Sequence, residues 1–401
     1  MTFLKQKAVW IGVAATLAVL IVFGLAMMGS VVGAKPRALP IALVQADRSA
    51  DLPSGAKLAV GEQIEKMLVE NAEMPVKWHL VDTEEEAMKG LDWQDYYGVL
   101  VLPANLSEGV ASLASPTSQP ASIKLVYNEG MNAQAVAAAK TILQQVAKNA
   151  GTGLTAQLLG QMEQQAQQMP VAAAKAMLTP FRAEEVVMHP VGANNANGNA
   201  PNLLIQIVWM GSLVLSVCLF LAGRAAGTKV SAAGRSRFGI VATQAAAGVA
   251  LAGLASGFTL WMASSWYGMH FADFGLTWLY LWLAASAFFL LQTALLRWIG
   301  FPAMALLVLL LFFSMPLLGM APEFMPQATR DWLYSWTPFR YAAAGLRSVL
   351  YYGGEGGDLA RNYGVLWGIV TGGLALVLAS GFRQSPAPDR ASSTQPADSR
   401  A

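Results

Sequence analysis

The chain has 401 residues, of which 55% are hydrophobic and only 12% are charged. An average soluble domain carries about 25% charged residues, so this composition excludes an ordinary soluble protein and indicates a membrane protein. Residues 35 to 201 hold 17 acidic and 12 basic side chains while the rest of the chain holds 7 and 14, so the two parts are expected to lie in different environments.

Six apolar runs are long enough to cross a bilayer, which needs about 20 apolar residues in a helix. The first, residues 8–28, follows a short N-terminal segment of residues 1–7. The others belong to a permease-like membrane domain of residues 202–382, and they cover residues 203–222, 238–262, 275–296, 300–320 and 363–382. Residues 383–401 are expected to form a disordered tail. The first run could also be a cleaved signal peptide, although its length favours an uncleaved anchor.

Lysine and arginine residues cluster beside alternate ends of these runs, as they do on the cytoplasmic side of membrane proteins. Lys5 and Lys7 precede the first run, Arg297 lies between the fourth and fifth, and three arginines follow the sixth. The pattern predicts a multi-pass protein of the plasma membrane with both termini in the cytoplasm. The lipid bilayer is then one of its partners. Residues 29–201 and 321–362 are expected on the outer side of the membrane.

The long polar stretch of residues 29–201 is predicted to form an extracytoplasmic α/β domain. Strand-like segments such as "YYGVLVLP" (96–103) and "SIKLVYNEG" (122–130) alternate with amphipathic helical segments. A helical insertion from 132 to 178 is expected to break at "GTG" and at Pro170, and the polar residues 192–201 are expected to form a flexible connection. The predicted fold is therefore a polytopic α-helical membrane protein of six transmembrane helices, with an α/β domain between the first and second.

Motifs for catalysis are missing from the sequence. It has no GxxxxGK[ST] phosphate loop and no GxSxG nucleophile elbow. The single cysteine, Cys218, excludes an intrachain disulfide, and the three histidines lack the spacing of a metal motif. The sequence predicts no enzyme, no cofactor or metal site and no nucleic-acid partner. The apolar runs contain no Asp, Glu, Lys or Arg, so any energy for transport is expected to come from elsewhere.

Glycines recur in two of the apolar runs at the spacing that lets helices approach closely. Gly253 and Gly257 form one such pair, and Gly364, Gly368 and Gly372 form a double one. The spacing is compatible with packing inside one chain and with contact between two copies, and both possibilities stay open.

The segment "TPFRYAAAGLRSVLYYGG", residues 337–354, has the signals of a short helix: a threonine cap, a proline in the first turn and two terminal glycines. Arg340 and Arg347 share one face of it. Because the segment lies just before the last span, it is expected to lie at the membrane interface. Its arginines would then face headgroups or water, while Phe339 and Leu346 face apolar surroundings.

Several segments, taken in order, resemble the ABC type-2 permease group, and in particular the phage infection protein (YhgE/Pip) family. They are "LPIALVQAD", "YYGVLVLPANLSEGVASL", "KLVYNEGMNAQAV", "NGNAPNLLIQIVWMGSLV" and "WTPFRYAAAGLRSVLYYGG". The resemblance implies the transmembrane subunit of an exporter, powered by a separate ATPase subunit and completed by a second copy or a related permease subunit. It also implies that the segment at 337–354 closes the outer exit of the pathway.

By the same resemblance, the loop at residues 223–237 would dock the ATPase through Arg224, Lys229, Arg235 and Arg237. These charges could instead only set the topology, and the helix at 337–354 could be a simple surface connector. Members of the resembled family are also similar to scaffolds of a secretion machine and to phage receptors. The alternative function is therefore a membrane scaffold or receptor, such as a type VII secretion accessory, with no transport of its own.

Overall fold

The fold is taken from a computed structural model of the full chain. It describes residues 17–22, 24–28, 36–51, 57–71, 73–114, 119–164, 175–232 and 238–382. The predicted N-terminal segment, the C-terminal tail and the first half of the first apolar run lie outside these residues.

The described part of residues 39–188, which we call the sheet part, contains seven strands and four α-helices of six or more residues. The strands are β1 (Leu39–Gln45), β2 (Ala50–Asp51), β3 (Lys57–Leu58), β4 (Val76–Val81), β5 (Gly98–Leu102), β6 (Ser122–Asn128) and β7 (Arg182–Met188). The helices are α1 (Val60–Glu70), α2 (Glu84–Asp92), α3 (Leu106–Ala111) and α4 (Ala133–Gln164). The strand segments expected at 96–103 and 122–130 thus contain β5 and β6.

Five of the strands form one sheet in the order β4-β1-β5-β6-β7, and β2 pairs with β3 separately. All neighbours in the large sheet are parallel except β5 and β6, which are antiparallel. β5 lies at the centre, and all five of its residues are buried. The start of β5 and the ends of β6 and β7 therefore lie along the same edge of the sheet.

The two faces of the sheet are covered differently. One face, which includes Ala42, Val99 and Val126, packs on α2. The other face forms a larger core with α1, α3 and α4, and this core also contains residues from the C-terminal half of the chain, such as Phe313 and Leu317. The sheet part and the membrane helices thus share one continuous apolar core.

Helix α4 corrects one expectation. The "GTG" at residues 151–153 was expected to break it, yet the helix runs without interruption from Ala133 to Gln164. Glycine costs about 1 kcal/mol relative to alanine in a helix. The buried side chains on either side of the glycines, Ala147, Ala150, Leu154 and Leu158, hold the helix against the sheet core. The predicted break at Pro170 lies outside the described residues.

The C-terminal half is helical, and its bounds are α5 (Ala200–Ala232), α6 (Phe238–Tyr267), α7 (Phe274–Ile299), α8 (Pro302–Gly319), α9 (Gln327–Trp332), α10 (Pro338–Tyr351) and α11 (Leu359–Ala379). Five of these, α5 to α8 and α11, are long and apolar enough to cross a membrane. They coincide with the last five predicted spans. Of the first predicted span, residues 17–22 are helical and Gly24–Met28 form a π-helical turn. The count of six stays a prediction.

Helix α7 is the centre of the helical part. Within its most apolar stretch 78% of the residues are buried, against 17% in α11, because α7 packs on α5, α6 and α11 at once. The Asp273 side chain caps its start by accepting a hydrogen bond from the amide of Leu276 at 2.9 Å. It ends at Gly300, whose φ of +81° lets the chain turn directly into α8.

The connection at residues 192–201 is more structured than its composition indicates. Asn195 is buried, and its side-chain amide donates to the carbonyl oxygens of Val191 and His270. Asn194 donates to the carbonyl of Gly268 at 3.2 Å. The expectation of a flexible connection is therefore wrong, because its asparagines bind the turn between α6 and α7.

Candidate functional site

Helix α10 begins and ends close to the predicted positions. Thr337 is its N-cap residue in an extended conformation, but its side chain makes no capping hydrogen bond, so the cap expected from the sequence is not formed. Pro338 occupies the first turn. Gly353 and Gly354 end the helix with φ values of +64° and +81°, which residues with a Cβ adopt only with strain.

One face of α10 packs into the membrane helices. The ring of Phe339 lies 4.5 Å from that of Trp209 on α5 and 5.5 Å from that of Phe288 on α7, measured between centroids. Leu346 belongs to the same buried cluster. Gly345 permits the closest approach, since a Cβ there would lie 1.9 Å from the hydroxyl oxygen of Tyr280. Phe339 and Leu346 thus face apolar surroundings, as the sequence predicts.

The opposite face of α10 packs against the sheet part. Arg340 and Arg347 line a small, partly open cavity of about 70 Å³ between α10 and the sheet part. We call it the junction cavity; its other walls include Tyr97, Asn132 and Asn202. The edge of the sheet thus covers part of the polar face of α10 and leaves both arginines partly exposed. The interfacial position of the helix stays a prediction.

The two arginines in the junction cavity lack ordinary charge partners. The guanidinium carbon of Arg340 lies 4.7 Å from the ring centroid of Tyr334 and 5.2 Å from that of Tyr341. The Nε atom of Arg347 is buried and has no hydrogen-bond partner. Among the described residues, neither arginine forms an ion pair within 4 Å. Both guanidinium groups thus lie in partly buried side chains without a protein counter-ion in contact.

Tyr97, in the wall of the cavity, binds the carboxylate of Glu323, in the segment after α8. The hydroxyl of Tyr97 donates to its Oε2 atom at 2.9 Å, and the amide of Arg37 donates to its carbonyl oxygen at 3.1 Å. Burial raises the pKa of Tyr97 well above its usual value; the charge of Glu323 adds to the shift and that of Arg347 opposes it. Tyr97 therefore stays protonated and holds Glu323 at the edge of the sheet.

Further hydrogen bonds join the C-terminal half of α10 to the same edge. The side-chain amide of Gln94 donates to the hydroxyl of Ser348 at 2.9 Å. The hydroxyl of Tyr352 donates to Oδ1 of Asn128 at 2.7 Å, and the ring of His189 lies 4.2 Å from that of Tyr352. These partners lie at or near the ends of β5, β6 and β7, so this part of the sheet edge binds the end of α10 and the residue after it.

Comparison with known protein families shows to which family this chain belongs. A family described as ABC-2 family transporter protein matches residues 7–379. The chain belongs to this family. No curated protein and no solved structure matches it. Members of the ABC-2 family are transmembrane components that normally work with an ATPase subunit, which fits the expectation of a non-enzyme. The narrower YhgE/Pip resemblance stays a prediction.

In this ABC-2 family chain, part of the predicted docking loop is a helix. Helix α5 continues to Ala232, so Arg224 and Lys229 lie on its extension and not in a loop. The guanidinium carbon of Arg224 lies 5.7 Å from the ring centroid of Phe220, one turn earlier. Arg235 and Arg237 lie outside the described residues. The expectation of a loop at 223–232 is wrong because the apolar helix propagates past the end of the span.

The two glycine patterns of this ABC-2 family chain have different surroundings. A Cβ at Gly253 would lie 2.8 Å from the ring of Trp282, and one at Gly257 would lie 3.2 Å from that of Trp278. The stacked indoles donate to backbone carbonyls of α6, Trp278 to Gly253 at 2.9 Å and Trp282 to Val249 at 2.7 Å. This first pair therefore packs within the chain.

The second glycine pattern, on α11, contacts no other segment of the described chain. A Cβ at Gly364, Gly368 or Gly372 would meet no atom within 4 Å in the part of the chain that the structure describes. All three are exposed on the side of α11 away from α7. Packing of these glycines within the chain is thus excluded for the described residues.

Tyr97 lines the junction cavity and Glu323 binds Tyr97, yet neither is among the site residues that the sequence predicts. Glu323 does carry a signal in the sequence, because it is the one ionisable residue between Arg297 and Arg330. Tyr97 carries no such signal, since it sits in an apolar strand segment like any core tyrosine.

Proposed function

We propose that this chain is the transmembrane subunit of an exporter whose power comes from a separate ATPase, and that α10 is its outer gate. Membership of the ABC-2 family supports the first part. The observation that carries the second part is the position of α10. It is held between the membrane helices, through Phe339, and the sheet edge, through Gln94 and Tyr352. A motion of the sheet part against the membrane helices would therefore shift α10.

The orientation belongs to the same proposal. The sheet part would lie outside the plasma membrane and both termini inside, as the lysine and arginine pattern predicts. In a Cys218→Ser background, a cysteine at Asn149 on α4 and one at Ala226 on α5 would face opposite sides; both positions are exposed. A membrane-impermeant maleimide added to intact cells should label only the first. Labelling of the second alone would contradict this orientation.

The ATPase would dock at the cytoplasmic extension of α5, where Arg224 and Lys229 lie, together with Arg235 and Arg237. A second copy, or a related permease subunit, would complete the pathway and could contact the exposed glycines of α11. These steps follow from the family and from the charge pattern.

The test is purification of the tagged chain from its own cells in mild detergent, followed by mass spectrometry. We expect an ABC ATPase to copurify with the unaltered chain. It should not copurify with the double variant Arg224→Ala, Lys229→Ala. The matched control, Lys66→Ala with Lys148→Ala, removes two exposed charges of the sheet part and should retain it. Recovery of secretion components without an ATPase would favour the scaffold alternative.

The gate is tested separately by replacing Arg340 and Arg347 with alanine. If α10 closes the exit, these variants should fold and bind the ATPase but lose the coupling between its activity and transport. If coupling is unchanged in these variants, α10 is a surface connector and not a gate.

A further inference from the structure

The junction cavity has a charge imbalance that calls for a ligand. Two guanidinium groups line it, whereas no acidic side chain of the described residues does. Glu323 lies near but outside the wall, and it is already bound by Tyr97. Both arginines are partly exposed, but Nε of Arg347 is buried without a partner, and burying a charged donor unpaired is costly. A negatively charged ligand would supply the partner that the described side chains do not.

The side-chain amides of the cavity already donate to the protein, whereas the arginines do not. The side-chain amides of Asn132 and Asn202 donate to the carbonyl oxygens of Gly319 and Leu318, at 3.3 and 2.8 Å. Gln94 donates to Ser348. Arg347 makes no hydrogen bond in the described part of the chain, and its Nε atom is fully buried. An arginine has five N–H donors and no acceptor, so the missing partner must be an acceptor.

The size of the cavity limits what this acceptor can be. The cavity has a volume of about 70 Å³. Ligand pockets for organic molecules have about 300–1,000 Å³. The cavity is therefore much smaller than a pocket for an organic substrate, whereas its size suits a monatomic anion.

We infer that the junction cavity binds a small inorganic anion of halide size, chloride under physiological conditions, between Arg340 and Arg347. The two residues are two helical turns apart, about 10.5 Å along the axis, and both side chains reach the same cavity. The anion neutralises the polar face of α10 and thereby stabilises its contact with the sheet edge. This inference does not depend on the proposed transport function, because it rests only on the charges and the volume of the cavity.

The test measures thermal unfolding of the purified chain in detergent, with sodium chloride or sodium bromide exchanged for sodium gluconate at constant ionic strength. Gluconate is too large for the cavity. We expect a saturable rise in Tm with either halide, about 2 °C at ten times Kd, and none with gluconate. Equal Tm values in chloride and gluconate would overturn the inference.

Two variants locate the effect. Arg347→Gln should remove the halide-dependent rise, while Arg330→Gln should keep it, because Arg330 is exposed and bonds to its neighbour Asp331 at 3.3 Å. A rise that persists in Arg347→Gln would contradict the assignment. Should Arg347→Gln fail to fold, crystals of the unaltered chain soaked in bromide give the answer. An anomalous peak between Arg340 and Arg347 supports the site, and its absence refutes it.

Discussion

Tyr97 and Glu323 are 226 residues apart in sequence, and the hydroxyl of one donates a 2.9 Å hydrogen bond to the carboxylate of the other. Tyr97 precedes the central strand of the sheet, and Glu323 follows the fourth long helix of the C-terminal half. The bond therefore joins the two layers of the molecule next to the junction cavity.

Removing this hydroxyl should weaken the molecule measurably. Hydrogen bonds to charged groups contribute about 1.5–3 kcal/mol, so Tyr97→Phe should lower the free energy of unfolding by about that amount in a denaturant titration. Tyr127→Phe is the matched control, since the hydroxyl of Tyr127 is also buried but has no hydrogen-bond partner in the described part of the chain. Equal losses in both variants would show that the bond contributes nothing specific.

Alkaline pH should destabilise the junction through its tyrosines. Burial raises the pKa of Tyr97, Tyr334 and Tyr352, and it raises that of Tyr351 to about 12. In the unfolded chain a tyrosine titrates near 10. Above about pH 10 the unfolded state therefore loses protons that the folded state keeps, and each such tyrosine lowers the free energy of unfolding by about 1.4 kcal/mol per pH unit.

Tyr351→Phe isolates one of these groups. The hydroxyl of Tyr351 is buried without a hydrogen-bond partner, so its removal should change little at pH 8. Between pH 10 and pH 12 the free energy of unfolding of the variant should fall less steeply with pH than that of the unaltered chain. The difference between the two slopes should correspond to one proton. Denaturant titrations at several pH values measure the slope, and parallel curves would contradict the prediction.

The two glycine patterns should respond oppositely to alanine. Gly253→Ala places a Cβ 2.8 Å from the ring of Trp282, and such overpacking costs about 1–3 kcal/mol. Gly368→Ala meets nothing in the described chain and should leave stability unchanged or raise it by up to about 1 kcal/mol, because alanine favours helix. Unfolding titrations of both variants provide the comparison. If Gly368→Ala instead lowered the molecular mass of the particle in detergent, α11 would contact a second subunit.

The proposed gate can be restrained at one contact. The side chains of Gln94 and Ser348 touch, so cysteines at both positions, in a Cys218→Ser background, can be joined by a short bifunctional thiol reagent. If α10 moves during transport, the cross-linked protein should lose stimulation of its ATPase partner, while each single-cysteine variant treated alike should keep it. Full activity after complete cross-linking would show that α10 does not move against the sheet edge.

The long helices and the central strands could be predicted because each depends on a local pattern. Apolar runs without charges predict α5 to α8 and α11, and short apolar segments bounded by turn residues predict β5 and β6. The burial of Phe339 and Leu346 follows from the same helical periodicity. These predictions need no knowledge of which distant segment covers which face.

Most features that the sequence did not predict depend on a contact between segments distant in sequence. Nothing local around Arg340 and Arg347 indicates that the sheet edge lies against them and forms a cavity. The "GTG" was expected to break α4 because its packing on the sheet is not a local property. The connection around Asn195 looked flexible because its partner, His270, lies 75 residues later.

The shared core has a consequence for how this protein can be divided. Phe313 and Leu317 are buried together with the apolar face of the sheet, so a fragment cut out as the sheet part alone would expose that face to water. We expect such a fragment to aggregate when expressed by itself and to become soluble only with the end of α8 and the segment after it attached. Binding studies on the isolated sheet part would then sample a surface that the intact chain never presents.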